Sequence, residues 1–396
     1  MTDAFTEGQP APLEAIEEVA PDDPNDPDAT LTEDEAQNLV EAEPTASSVT
    51  YSGKDFDVAG LVRRLNSDDI LIPTFGHQDA RISSAGFQRS FVWTRPQMDR
   101  FIESLLLGYP VPGIFLVRQQ ADRRYLVLDG QQRLRTLQHF MAGLHDGREF
   151  VLQNVADEFK GLTYKSIQNE MRRLLEDTFF QATIVVSDGS PASLEAIYKV
   201  FERVNSGGTQ LTPHEIRVAL YAGQLIDFLE QLNTNVNWRQ LYGRKSPRLR
   251  DQELILRILS LLNRATSYRR PLKKFLNDFA SDYRNLGPSR SGLEAFESSE
   301  ISRVFAETAR VLRSSNGRTA LRPCGSQLNA ALTEAIFVGL MRRVSSASVP
   351  SVDATVSALQ RLAGDGDLTQ VTSRATADEE TVKRRLQLCT AAFAEA

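Results

Sequence analysis

The chain has 396 residues, 41% of them hydrophobic, which is enough apolar material for more than one folded unit and excludes a peptide or fibre. Its two cysteines, Cys324 and Cys389, lie far apart in sequence, which excludes a disulfide scaffold and points to a reducing cytoplasm. The formal charge of -7 conceals an asymmetry: residues 1–50 hold 14 Asp and Glu and no Lys or Arg, so the remainder has 38 acidic against 45 basic residues, a formal +7.

The acidic stretch "PDDPNDPDATLTEDEAQ" cannot bury enough apolar surface to offset the entropy of ordering it, so residues 1–52 are read as a disordered tail. Two readings stand for it: a solubilising tail, or a nucleic-acid mimic covering a basic groove. No charged-then-apolar leader is visible. The longest apolar stretch, "SLLLGYPVPGIFLV", is broken by Gly and Pro and too short to span a bilayer. A cytoplasmic protein with no membrane partner is expected.

Order is predicted from near Phe56, where "VAGLVRRL" has the spacing of a short helix. A clearer helix follows Thr94, which with Gln97 makes a capping-box pattern; Pro96 suits a first turn, Met98, Phe101, Ile102, Leu105 and Leu106 form an apolar face, and Gly108 stops it. "GIFLVRQ" and "RYLVLD" read as neighbouring strands, followed by a helix over residues 131–141, a polar insertion, and a strand-like "ATIVVSD". From Leu194 onward the periodicity is helical, through "LEAIYKVFERV", "DQELILRILSLLNR", residues 328–341 and the last twenty or so residues. The fold class predicted is α+β, a mixed lobe over residues 53–220 followed by a mainly helical bundle over 221–396.

The segment "LDGQQR" puts a cation, Arg133, at a helix start, where unpaired N–H groups already carry partial positive charge. A purely structural account has Asp129 capping the helix, Gln132 bonding back to it and Gly130 easing the turn. A functional account supplies an anion: the helix-start N–H groups, Gln131, Gln132 and Arg133 hold a phosphate, while Asp129 holds Mg2+ or a water beside it. Spacing alone does not choose between them.

The string "VLDGQQRLRTL" resembles the signature of the N-terminal domain of GmrSD-type modification-dependent restriction proteins. The resemblance extends to "FQRSFVWTRPQMDRFIESLLLGYPVPGIFL", "VFERVNSGGTQLTPHEI" and "RLRDQELILRIL", over roughly residues 55–265. It implies a ParB and sulfiredoxin-like fold in the first lobe, with Asp129, Gly130, Gln131, Gln132 and Arg133 at a nucleotide site. It further implies hydrolysis of a nucleoside triphosphate and a role in defence against phage. Larger relatives carry a His-Asn-His nuclease domain; its metal-binding pattern is not visible in residues 266–396, and with only four histidines nuclease activity of that kind is not expected.

Three further constellations bear on this reading. In "RVNSGGTQLTPHE", Asn205, Gly207 and Gly208 belong either to a tight turn or to an anion-binding nest, whereas Thr212, Pro213 and Glu215 are accounted for by a capping box. In "FQRSFVW", Arg89 alternates with Phe87, Phe91 and Trp93, a face that either stacks a base or packs in the core. The run "WRQLYGRKSPRLR" offers Arg244, Lys245, Arg248 and Arg250 to the backbone of duplex DNA, the alternative being a solvated helix face. There is no G-x-x-x-x-G-K-[ST] loop, no G-x-G-x-x-G and no zinc-type spacing. His139 is the histidine nearest the DGQQR segment in sequence and is read as an ordinary packing position.

The expectation is therefore a nucleoside triphosphatase acting as sensor or switch of a phage-defence or restriction system. Asp129, Gln132 and Arg133 are its catalytic candidates, with Mg2+ on Asp129, and Arg89, Gly130, Gln131, Asn205, Gly207 and Gly208 bind nucleotide. Modified duplex DNA and a separate nuclease subunit are its expected partners. The alternative is a non-enzymatic ParB-like DNA-binding module, or a regulatory partner of a separate nuclease.

Overall fold

A computed structural model gives the structure of residues 50–72, 74–75, 87–88, 93–118, 123–188, 190–204, 212–287, 296–323, 325 and 327–396. Among the described residues nine strands are formed: β1 (Tyr51–Asp57), β2 (Ile70–Leu71), β3 (Thr74–Phe75), β4 (Phe87–Gln88), β5 (Ile114–Arg118), β6 (Tyr125–Asp129), β7 (Leu144–His145), β8 (Arg148–Glu149) and β9 (Phe179–Val186). Five of them make a mixed sheet in the order β1-β9-β5-β6-β2, with β3-β4 and β7-β8 as separate pairs. β9 lies antiparallel to β1 and parallel to β5; β6 lies antiparallel to β5 and parallel to β2.

Period-two alternation of apolar residues gives this sheet two buried faces. Ile114, Leu116, Val127, Phe180, Ala182 and Ile184 point to one side, where they pack under α1 (Val58–Asn66), α2 (Arg95–Leu106), α3 (Gln131–Ala142) and α4 (Asn169–Asp177). Val117, Leu126, Leu128 and Val185 point to the other, against Leu194, Ile197, Tyr198 and Phe201 of α5 (Pro191–Val204), in an apolar cluster continuous with the core of the helical region.

The α2 helix follows its sequence signals closely. Gln97 reaches back to accept from the Thr94 N–H at 2.8 Å, all five predicted apolar positions are buried, and the helix stops just before Gly108 at φ 71°. β1 was not legible in this way. Its residues Tyr51–Asp55 are exposed and lack apolar alternation, and the strand is held by its backbone pairing with β9.

The remainder is helical: α6 (Pro213–Leu220), α7 (Gln224–Asn233), α8 (Val236–Tyr242), α9 (Arg250–Arg264), α10 (Leu272–Asp282), α11 (Ser298–Ser314), α12 (Gly317–Ala320), α13 (Ala330–Ser346), α14 (Val352–Ala363), α15 (Gly366–Val371) and α16 (Glu379–Ala394). The mixed lobe followed by a helical region is the arrangement the periodicity predicts. At the centre is α13, buried on nearly every side from Ala331 to Met341. Its Gly339 lies so close to α16 that an added Cβ would fall 2.8 Å from backbone atoms of Cys389.

A charge is enclosed in this bundle. Glu334 is wholly buried and is gripped by Arg257, whose Nε donates at 2.6 Å, and by the equally buried Arg385. Burial alone would raise the Glu334 pKa, but the two guanidinium groups hold it below the ordinary carboxylate value. Removing one partner of such a group leaves the others uncompensated in a medium of low dielectric. Glu334→Ala is therefore predicted to lose about 3–5 kcal/mol of stability in urea unfolding at pH 7; a loss under about 1 kcal/mol would show that the cluster is solvated.

Candidate functional site: the Asp129–Arg133 turn

β6 leaves the sheet at Asp129 and α3 begins at Gln131, so the whole change of direction falls on Gly130 at φ 93°. A side chain is excluded there twice over: the backbone is left-handed, and a Cβ would sit 2.5 Å from Ile114 Cγ2. Gly130 is the N-cap and no side chain caps the helix. The capping-box account of Asp129 and Gln132 thus fails, because the left-handed residue moves the helix start one position along. Gln132 Oε1 instead accepts from the Trp93 N–H at 3.3 Å, which ties the turn to the start of α2. Gln131 Nε2 reaches the Val127 carbonyl at 3.4 Å.

Arg133 has its anion within the same turn. Its Nη2 donates to Asp129 Oδ2 at 2.9 Å and its Nη1 donates to the Pro112 carbonyl, just ahead of β5. The two partners are unequally sheltered: the Arg133 side chain is 11% exposed, that of Asp129 39%. Burial draws the Arg133 guanidinium below its ordinary value, while the Asp129 carboxylate raises it. Arg133 therefore acts as a buried brace that fixes an accessible carboxylate at the end of β6. Two residues on, burial also lowers the Arg135 pKa, and among the described residues no carboxylate pairs with it.

Further along α3, His139 Nδ1 faces His145 Nδ1 of the β7–β8 hairpin at 3.0 Å. Burial, then the charges of His145 and Arg135, push the His139 pKa down to about 4.

Of the residues expected at the nucleotide site, Asp129, Gly130, Gln131, Gln132 and Arg133 form one continuous turn. Arg89, Phe91, Asn205, Gly207 and Gly208, like most of the acidic tail, lie outside the described residues. The basic residues expected to meet DNA sit on the connection from α8 to α9 and at the first residue of α9. Arg248 is largely buried and donates to Glu215 Oε2 at 3.0 Å, beside the start of α6, and Lys245 is bonded to Glu230. The Arg244 carbonyl accepts from Arg239 at 3.4 Å, and the Nε of Arg250 is enclosed.

Sequence reasoning missed the deep burial of α6, in which every residue from Pro213 to Leu220 is enclosed. The Thr212–Glu215 capping box is formed, yet Glu215 also takes Arg248, and Arg217 bridges to Asn277 of α10 at 2.8 Å and to Glu253 of α9 at 3.4 Å. The Pro112 carbonyl was missed as well, having no signal in its side chain.

The site thus lies in a mixed α+β lobe whose strand-to-helix turn carries a braced carboxylate. Residues 74–222, which contain this turn and all of α6, match the family described as GmrSD restriction endonuclease, N-terminal domain. The match supports a GmrSD-type N-terminal domain in that stretch. No curated protein and no solved structure matches the chain. Among the described residues no helix is long and apolar enough to cross a membrane, and no group of three or more His, Cys, Asp or Glu is placed to hold a metal ion.

Two predictions follow from this geometry. Gly130→Ala should lower stability by about 1–3 kcal/mol, through strain at a special backbone position combined with the clash at Ile114; a melting temperature equal to that of the unaltered protein would contradict the left-handed turn. For His139, the unfolded chain takes up a proton below about pH 6.5 that the folded chain refuses until about pH 4. Stability from this residue is thus lost as pH falls through that window, and His139→Gln should flatten the slope of unfolding free energy between pH 7 and pH 4.5. An unchanged slope would assign the pH dependence to other groups.

Proposed function

We propose that this chain is a nucleotide-dependent sensor or switch of a bacterial restriction or phage-defence system, with the turn from Asp129 to Arg133 as its triphosphate site. The observation that carries the reading is the pairing of an accessible Asp129 with a buried Arg133 at the start of a helix with no side-chain cap. The helix start offers backbone N–H groups to phosphate oxygens, and Arg133, paired with Asp129, fixes the carboxylate beside them. The family match over residues 74–222 supports the restriction-system setting.

Each residue has a distinct task in this proposal. One Asp129 oxygen is held by Arg133, and the carboxylate's exposure leaves it accessible to a hydrated Mg2+. That fits an ion that keeps most of its waters and is bound by one carboxylate together with substrate phosphates. When bound, Mg2+ would supply charge neutralisation on the transferring phosphoryl group. Gln131 and Gln132 belong to the turn, and Arg89, Asn205, Gly207 and Gly208 are the further residues assigned to nucleotide binding in this proposal. A ParB-like arrangement of the lobe, cytoplasmic location, and contact of Arg244, Lys245, Arg248 and Arg250 with modified duplex DNA belong to the same proposal. So does a separate nuclease subunit as the effector.

A second reading has one observation in its favour. Arg133 is already engaged by Asp129 and the Pro112 carbonyl, which leaves fewer of its N–H groups for a transferring phosphate. In that reading the turn binds nucleotide without cleaving it, and the chain is a binding module or a regulatory partner of a nuclease.

Phosphate release from the four nucleoside triphosphates with Mg2+, with and without modified duplex DNA, separates the two. Arg133→Ala and Asp129→Asn should each lower turnover by about a hundredfold or more, the magnitude typical of removing one transition-state contact. Asp129→Asn should also weaken the Mg2+ dependence while circular dichroism stays native. Full turnover in a folded Arg133→Ala protein would remove the assignment. Nucleotide binding by the unaltered protein without any turnover would establish the second reading.

A further inference from the structure

The short helix α8 has two unlike sides. Trp238 and Leu241 are fully buried, the Trp238 ring lying 5.7 Å from that of Phe305 on α11. Along the outer edge, three arginines from elsewhere in the chain donate to neutral acceptors. Arg313 at the end of α11 donates to Asn237 Oδ1 at 3.0 Å, and Arg318 of α12 to the Gln240 carbonyl at 2.6 Å. Arg322 donates to the carbonyls of Leu241 at 2.8 Å and Tyr242 at 2.5 Å. Arg244 continues the row directly after Gly243, where Arg318 Nη2 lies 4.0 Å from the place of an added Cβ.

Part of this is ordinary helix chemistry. Cations at a helix C-terminus meet its free carbonyls and the negative end of its dipole, which accounts for one donor of Arg318 and two of Arg322. It does not account for Arg313, which bonds an amide near the start of α8, nor for the other N–H groups of the Arg313 and Arg318 guanidinium forks. Counter-charge is scarce on these elements. α8 and α12 contain no carboxylate, and on α11 Glu300 and Glu307 are bonded to Arg303 and Arg310, three residues further on. Among the described residues no carboxylate pairs with Arg313 or Arg318, and both are exposed, as is Arg244. The cations also feel one another: burial first, then the Arg318 charge, draws the Arg322 pKa down.

Seven helical residues extend about 10 Å. Duplex DNA carries a negative charge about every 1.7 Å along its axis, so a row of guanidinium groups of this length meets several phosphates. Each planar fork takes a phosphate through two parallel N–H bonds. We propose that the edge formed by Arg244, Arg313, Arg318 and Arg322 docks the phosphate backbone of duplex DNA, independently of base sequence. The inference rests on duplex DNA as a partner in the function proposed above, and extends that contact from Arg244 onto α11 and α12.

The test is fluorescence anisotropy of a short, labelled, unmodified duplex with the full chain, from about 50 to about 200 mM salt. Arg313→Gln and Arg318→Gln should each reduce the slope of log affinity against log salt by about one, and the double variant should weaken binding at least about tenfold. Arg303→Gln removes an equal charge elsewhere on α11 and should bind as the unaltered protein does. On the unaltered protein, bound duplex should shield Arg313 and Arg318 from modification by phenylglyoxal, a readout that needs no variant to fold. Full duplex binding in the folded double variant, or modification unaffected by duplex, overturns the proposal while leaving DNA as a partner. No duplex binding by the unaltered protein overturns both. An equal loss in Arg303→Gln would reduce the effect to net charge and overturn it. Polyglutamate competing better than unlabelled duplex at equal charge would assign the edge to an acidic protein segment, and also overturn it.

Discussion

Everything at the candidate site depends on one bond pair: Arg133 reaching back across a left-handed glycine to Asp129 and, beyond it, to the Pro112 carbonyl. Three elements meet in that side chain, namely the end of β6, the start of α3 and the approach to β5. A guanidinium suits this task because its donors form a rigid planar fork, where a lysine would offer one mobile point charge. The cation that looks misplaced at a helix start is thereby neutralised from within its own turn. Its neighbouring carboxylate is held in a fixed direction at the surface.

The same use of buried charge recurs in the helical region. Glu334 between Arg257 and Arg385, Glu215 with Arg248, Asp251 with Arg239 and Asp282 with Arg264 each join different parts of the chain by an ion pair with at least one member fully enclosed. Such pairs add little net stability over well-packed apolar residues, but breaking one of them is costly. Their effect is to fix which helices face which, around a core that runs without interruption from the sheet into α13. Arg217 extends the pattern, linking α6 within the matched stretch to α9 and α10 outside it.

Legibility in the sequence follows the range of the interactions. Local signals sufficed for α2, where the Thr94 and Gln97 pattern, the apolar face and Gly108 lie within one helix length. They sufficed also for β5 and β6, whose apolar runs pair as antiparallel neighbours. They failed for β1, which is exposed over Tyr51–Asp55 and is held by pairing with the distant β9. At the site, residue identity in "DGQQR" was informative while geometry was not. Nothing local shows that Gly130 rather than Asp129 is the cap, or that Arg133 spends two donors on Asp129 and a backbone carbonyl.

The central claim is that the Asp129–Arg133 turn receives a triphosphate and its metal. The most direct measurement is a crystal structure of the full chain with Mn2+ in place of Mg2+ and a non-hydrolysable nucleoside triphosphate, with the metal located by its anomalous signal. The account predicts a manganese peak within coordination distance of an Asp129 carboxylate oxygen, and phosphate oxygens against the backbone N–H groups at the start of α3. A bound nucleotide that touches neither Asp129 nor the start of α3 would contradict it.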